Sequence, residues 1–220
     1  MPQRLKEELR ERLLAAAAAV FAVQGFEKAK LADMAELAGT STSNIYKYFT
    51  DKEALFHEIV TPALAGQLLR LLRARVRELQ SIGNWLEADA AGSSHARAQL
   101  SFWIEQRHVV LILLRGAEGT RYAHVRGLMI GEMLRLAARY VAERQGPEAL
   151  TPLLRFMLAR TFTRTMDTIA DTLAEYRDAA SIQAAISLFW RYQLAGLQSL
   201  LNPQQQQGGV STAGPGQSSE

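Results

Sequence analysis

Cysteine is absent from this 220-residue chain, which excludes a disulfide framework and any thiolate-bound zinc and fits a reducing compartment. Long apolar runs are absent too. The longest unbroken aliphatic stretch, Val109–Leu114, falls far short of the roughly 18 residues a membrane span needs. The opening MPQRLKEELRER is charged and lacks the pattern of a signal peptide, so the expected location is cytoplasmic, with no membrane partner. Proline is scarce: its six residues fall mostly near expected helix starts or in the C-terminal tail. Alternating β-branched segments are missing as well, while Leu/Ala/Arg/Glu runs recur, which points to an all-α protein.

Catalytic signatures are also lacking. The four histidines, His57, His95, His108 and His124, contain no i, i+4 pair. No nucleophile elbow, phosphate loop or dinucleotide fingerprint occurs. The carboxylate pairs Glu7/Glu11 and Asp167/Asp171 have the spacing of ordinary exposed helical charges. An enzyme is therefore not expected, nor a cofactor or a metal. Neither sign of charge dominates, since the net charge is +3 and residues 1–55 hold eight basic and eight acidic side chains. Placement says more than the total. All five lysines (Lys6, Lys28, Lys30, Lys47, Lys52) lie in the first 52 residues. Lys30, Lys47 and Lys52 cluster where each can neutralise a phosphate.

What the chain does carry is concentrated in residues 25–55. Leu31, Met34, Ala35 and Ala38 have the i, i+3, i+4, i+7 spacing of a helix buried on one face. Gly39 can end that helix in the left-handed conformation, and Ser41 can cap the next. A second short segment follows, with Ile45 and Phe49 as core. Helix, tight glycine turn and helix is the helix-turn-helix plan, whose second helix enters the major groove of DNA. The start of that helix presents Ser41, Thr42, Ser43 and Asn44; Asn can contact adenine through two hydrogen bonds, and Ser and Thr suit several bases or phosphates.

These elements together resemble the DNA-binding domain of TetR/AcrR-family transcriptional regulators. The matching elements are Gly25-Phe26, Ala38-Gly39, Ile45-Tyr46-Lys47-Tyr48-Phe49 and Lys52-Glu53-Ala54-Leu55. The resemblance covers about the first quarter of the chain. It implies phosphate contacts from Tyr46, Tyr48 and Lys52, and a downstream chamber for a small-molecule inducer. Two residues depart from the family pattern: Lys30 stands where a capping Thr is usual, and Thr40 replaces an aliphatic residue in the turn. Lys30 can exchange a cap for a direct phosphate contact.

The remaining pattern is helical. A first helix is expected over about 5–24, with Leu9, Leu13, Ala17, Val20 and Phe21 on its apolar stripe. A fourth helix should start near residue 52, capped by Thr50 with Glu53 or by Asp51, and run to about 80 with Pro62 kinking it. After a looser link over 81–94, helices are expected at about 95–106, 108–115, 121–145, 150–176 and 179–201, with Thr151 and Asp178 as caps. Gly127 and Gly131 share one face, as in tight helix packing. From Pro203 the composition has little to bury and is expected to be disordered.

Candidate chamber residues are Trp103, His108, Arg115, Glu118, Tyr122, Arg126, Met129, Met133, Phe156, Met157 and Arg160. Candidate dimerisation residues on the last two helices are Phe162, Met166, Ile182, Ile186, Phe189, Gln193, Gly196 and Leu200, since broad apolar faces on two helices can pair with their copies. The sequence thus predicts a DNA-reading domain over 1–55, a ligand-binding and dimerisation domain over 56–202 and a tail over 203–220. The expected function is a homodimeric repressor, released from a palindromic double-stranded DNA operator by inducer. The competing expectation is a dimeric helical adaptor without sequence-specific DNA binding.

Overall fold

The alanine-rich opening segment forms α1, Gln3–Lys28, in the computed structural model, which describes residues 3–81 and 93–201. Alanine loses no side-chain entropy in a helix, and here Ala16 and Ala17 also let neighbours approach closely, being buried beside Leu13, Val20 and Phe21. The helix is interrupted at Gly25, whose φ of 75° is open to glycine at no steric cost. Three short helices follow: α2 (Leu31–Leu37), α3 (Thr42–Ile45) and α4 (Lys52–Ile59). They pack on α1 through Met34, Ala35, Ala38, Ile45, Phe49, Leu55 and Phe56, all buried.

The expected long fourth helix is two helices. Val60 adopts extended φ/ψ of −104° and 93°, and a new helix, α5 (Pro62–Ser81), begins at the proline. Pro62 therefore starts a helix rather than kinking one, because its missing N–H is harmless only in a first turn. The hydroxyl of Thr61 accepts from Leu64 N at 3.3 Å to cap it. At α4 the cap is Asp51, which accepts from Ala54 N at 2.7 Å. Thr50 instead turns its hydroxyl to the Asp51 carboxylate.

The body comprises α5, α6 (Ser94–Glu105), α7 (Arg107–Leu111) running into one π-helical turn at Ile112–Gly116, α8 (Val125–Gln145), α9 (Pro152–Glu175) and α10 (Ala179–Leu201). Thr151 caps α9 by accepting from Leu154 N at 3.1 Å, and Asp178 accepts from Ser181 N at 2.8 Å just before α10. The bond from Ser181 holds the Asp178 carboxyl below its ordinary value. Polar ties hold the layers in register. Arg73 on α5 donates to Glu132 on α8, Arg126 on α8 to Asp167 on α9 at 2.6 Å, and Gln193 on α10 to Thr165 on α9 at 3.0 Å. Gly127 and Gly131 do not mediate tight packing, since a Cβ on either would meet nothing within 4 Å. Residues 82–92 of the expected link and the tail from Pro203 lie outside the described residues. Among the described residues no helix is long and apolar enough to cross a membrane.

Head and body meet where two glycines touch. A Cβ on Gly116 would lie 3.0 Å from Phe21 O and 3.1 Å from Gly25 Cα, both backbone atoms that cannot swing aside. Beside this contact Phe56 packs edge-on to Phe21 and Phe26, with centroids 5.2 and 5.0 Å away, and Tyr122 from the body lies 6.3 Å from Phe56. Gly116→Ala should lower stability by about 1–3 kcal/mol, the usual cost of overpacking, read as a lower thermal midpoint; an unchanged midpoint would mean that the seam has slack.

Candidate DNA-binding surface and internal chamber

The turn between α2 and α3 is built from backbone bonds that its residues make possible. Gly39 has φ 65° and its N–H donates to Glu36 O at 3.0 Å, while Thr40 N donates to Ala35 O at 2.9 Å. Arg12 reaches across from α1 and donates to Ala38 O, which ties the turn to the long helix. Thr40, the departure from the family pattern, has a distinct role. Its hydroxyl accepts from Asn44 Nδ2 at 2.8 Å, and Asn44 Oδ1 accepts from Lys47 Nζ at 2.7 Å. This Thr40–Asn44–Lys47 chain fixes the Asn44 amide before any ligand arrives. One amide hydrogen and one oxygen lone pair of Asn44 remain for another partner.

Ser41 occupies the N-cap position of α3 with extended backbone, but its hydroxyl does not cap the helix. It pairs with Ser43 Oγ at 2.9 Å, and its carbonyl accepts from Asn44 N at 2.9 Å. Ser41, Ser43, Tyr46 and Lys47 are exposed, Tyr46 by 58%, whereas Ile45 and Phe49 on the opposite side are buried. Thr42, Asn44 and Tyr48 are half-buried at the margin. Lys30 is exposed at the N-cap of α2 and makes no side-chain cap bond.

Lys52 differs from its expected role. Its ammonium donates to Phe26 O at 2.7 Å and to Glu27 O and Ala29 O at 3.2 Å, and it sits 4.5 Å from the centroid of the Phe26 ring. An ammonium has three donors, and all three are committed here. Lys52 fastens the α1–α2 turn to α4 and is not free for a phosphate.

Residues 13–59 match the family described as bacterial regulatory proteins, tetR family. The head carries the helix-turn-helix arrangement over the residues that this family model matches. A Bacillus subtilis (strain 168) protein described as an uncharacterized HTH-type transcriptional regulator, YdgC, is 46% identical over 54 residues. That match spans 24% of this chain and only 28% of the relative. Two solved structures are similar over more of the chain. A TetR family transcriptional regulator from Chloroflexus aurantiacus J-10-FL is 16% identical, with a TM-score of 0.49 over 92% of this chain and 96% of that one. FadR from Bacillus subtilis, solved with stearoyl-CoA, is 17% identical, with a TM-score of 0.32 over 87% of this chain and 97% of that one.

Behind the tetR-family head, α5, α6, α8, α9 and α10 enclose a cavity of about 70 Å³. Of the expected chamber residues, Trp103, Met129 and Met133 line it. The others lie elsewhere. Tyr122 is buried at the head–body seam, and Arg126 is bound to Asp167. Arg115 pairs with Asp171, while Glu118, Phe156, Met157 and Arg160 are exposed. His108 accepts from Arg107 at 3.1 Å in a separate cleft beside α1; burial, and then the charges of Arg107 and Arg177, lower its pKa below the ordinary value.

The dimerisation residues divide as well. Phe162, Met166, Ile182, Ile186 and Gln193 are buried within their own chain, and Phe162, Met166 and Gln193 line the chamber. Phe189 and Leu200 are half-buried and Gly196 is exposed. The outward face of α10 carries Leu188 and Tyr192, 65% and 77% exposed, with Ala195 and Ser199 on the same side. On α9, Leu153 and Phe156 are exposed by 72% and 59%. Arg12, Thr40 and the latch role of Lys52 were not expected as site features; only the unusual Thr at position 40 signalled one of them.

Lys52→Ala should destabilise the fold by about 1.5–3 kcal/mol, the range for charge-assisted hydrogen bonds. The salt slope of DNA binding should stay unchanged for Lys52→Ala, whereas Lys30→Ala should flatten it by about one phosphate equivalent. Chemical denaturation and titrations at several salt concentrations separate the two effects.

Proposed function

We propose that this chain is a ligand-responsive transcriptional regulator that reads DNA with its N-terminal head and acts as a homodimer. The observation that carries the reading is the tetR-family head, whose α3 turns Ser41, Ser43, Tyr46 and Lys47 outward while its apolar side is buried. Small hydroxyls, an amide and a lysine on one exposed face suit base edges and phosphates together. The exposed Lys30 and Lys47 supply charge, and the fixed Asn44 supplies a preorganised amide.

One such head makes few base contacts, so specific affinity requires a second head on a palindromic site. The outward apolar faces of α9 and α10 support the dimer, because side chains such as Leu188, Tyr192 and Phe156 lose favourable burial if they stay in water. The internal cavity supports the inducer. A molecule that widens it would press on α8, and α8 follows directly from the seam that holds the head. In the proposed mechanism the inducer binds the DNA-incompetent state more tightly and so releases the operator. Repression is the sign that this mechanism favours.

The test uses DNA flanking the chain's own coding sequence in a gel shift at low salt without added ligand. The wild type should retard a palindromic fragment. The double variant Leu188→Arg, Tyr192→Arg should sediment as a monomer and lose most of that affinity, because two charges would be buried unpaired at the interface. A folded double variant that remains a dimer would place the interface elsewhere. Absence of retardation by wild type would favour the helical adaptor.

A further inference from the structure

The wall of the chamber fixes the kind of molecule it can hold. It is almost wholly apolar, with Met129, Met133 and Met166 beside Phe162, Ile169 and Leu194. Most of its polar groups are already engaged, and the amide of Gln99, 3% exposed, is a further polar group in the wall. Thr165 donates to Thr161 O at 3.0 Å and accepts from Gln193 at 3.0 Å. Arg75, only 5% exposed, donates to Glu78 at 2.6 Å, and Ser93 donates to the same carboxylate at 2.8 Å. Burial alone would raise the Glu78 carboxyl, yet the bonds from Ser93, Arg75 and His95 and the charge of Arg75 hold it below its ordinary value. The pair is thus internally neutral at working pH and leaves no unmatched charge for a guest. Trp103 is different. It is 2% exposed, it lines the chamber, and its Nε1 is buried with no acceptor among the described residues. A buried donor without a partner costs about 1–3 kcal/mol, which an acceptor on a guest would recover.

We propose that the chamber takes a small, uncharged, largely apolar molecule with one hydrogen-bond acceptor, such as a carbonyl oxygen, anchored on Trp103 Nε1. This assignment rests on the reading of the cavity as the effector site. A carboxylate or an ammonium would lose its hydration without gaining a counter-charge, because Arg75 already faces Glu78. Size imposes a second limit. The cavity of about 70 Å³ is smaller than the roughly 150 Å³ apolar cavity that accommodates benzene. A ring-sized guest is admitted by turning the unbranched thioethers of Met129, Met133 and Met166, which have the rotamer freedom for it.

Calorimetric titration of the full chain with three probes of similar size tests this: acetophenone, ethylbenzene and benzoate. Acetophenone should bind tightest, ethylbenzene more weakly, and benzoate not measurably. Trp103→Phe keeps the ring bulk and removes the N–H. It should weaken acetophenone about tenfold, the equivalent of one hydrogen bond, and leave ethylbenzene within about twofold. If the variant does not fold, the ranking of the probes on wild type decides alone. Benzoate binding as tightly as acetophenone, equal weakening of both uncharged probes by the variant, or no binding of any probe overturns the assignment. The heats are measured without DNA. A chain that fails to retard DNA but ranks the probes as expected would lose the regulatory reading and keep this one, and the reverse result would do the opposite.

Discussion

The contact between Gly25 and Gly116 is the constraint on which the rest of the arrangement depends. Gly25 has to leave the helix with positive φ, and Gly116 has to present bare backbone, because any Cβ there would strike Phe21 O and Gly25 Cα. With the two backbone segments this close, Phe21 and Phe26 stack beneath the seam, Phe56 meets them edge-on and Tyr122 closes it from the body side. Lys52 then locks the α1–α2 turn from the other direction through three carbonyls. The head is consequently not tethered by a linker. It is docked on the π-helical turn at Ile112–Gly116, and residues 117–124 join that turn to α8, which forms part of the chamber wall. In the proposed mechanism, a change of packing around Met129 or Met133 is passed through this seam to the recognition turn.

The same economy governs the polar groups. In the head, Thr40, Asn44 and Lys47 hold one another, so under the proposed function the face that meets DNA is ordered beforehand and has little side-chain entropy to lose. Around the cavity, Arg75 and Glu78 neutralise each other beside a largely apolar wall that includes Trp103, whose N–H has no acceptor among the described residues.

Much of this was legible in the sequence, for reasons that can be traced residue by residue. Gly39 after an i, i+3, i+4, i+7 stripe has few roles besides ending a helix, and Thr151-Pro152 and Asp178 carry strong start signals, so these boundaries came out within a few residues, whereas the break between α4 and α5 at Val60 did not. What local pattern could not convey was which of two apolar faces points inward. Ile182 and Ile186 lie buried on one side of α10, while Leu188, Tyr192 and Ala195 are exposed on another. The sequence pattern singled out the first side as the dimerisation face, and only its packing inside the chain shows that it is already covered. Lys52 illustrates a second limit. A lysine at a helix start next to a DNA-reading segment suits a phosphate, but the carbonyls of Phe26, Glu27 and Ala29, more than twenty residues earlier, lie within its reach only after folding. Trp103, Met129 and Met133, singled out by chemical type, line the cavity, whereas Tyr122 lies at the seam and Arg126 is bound to Asp167.

The central claim is that DNA meets the face formed by Ser41 to Tyr48 on the tetR-family head. Hydrogen exchange of the full chain, with and without the palindromic DNA beside its own gene, tests it directly. The account predicts added protection concentrated in the turn and α3, from Gly39 to Phe49, with weaker protection near Lys30. The outward face of α10 should exchange at the same rate in both samples. Protection centred on α9 and α10, with the recognition turn unchanged, would contradict it.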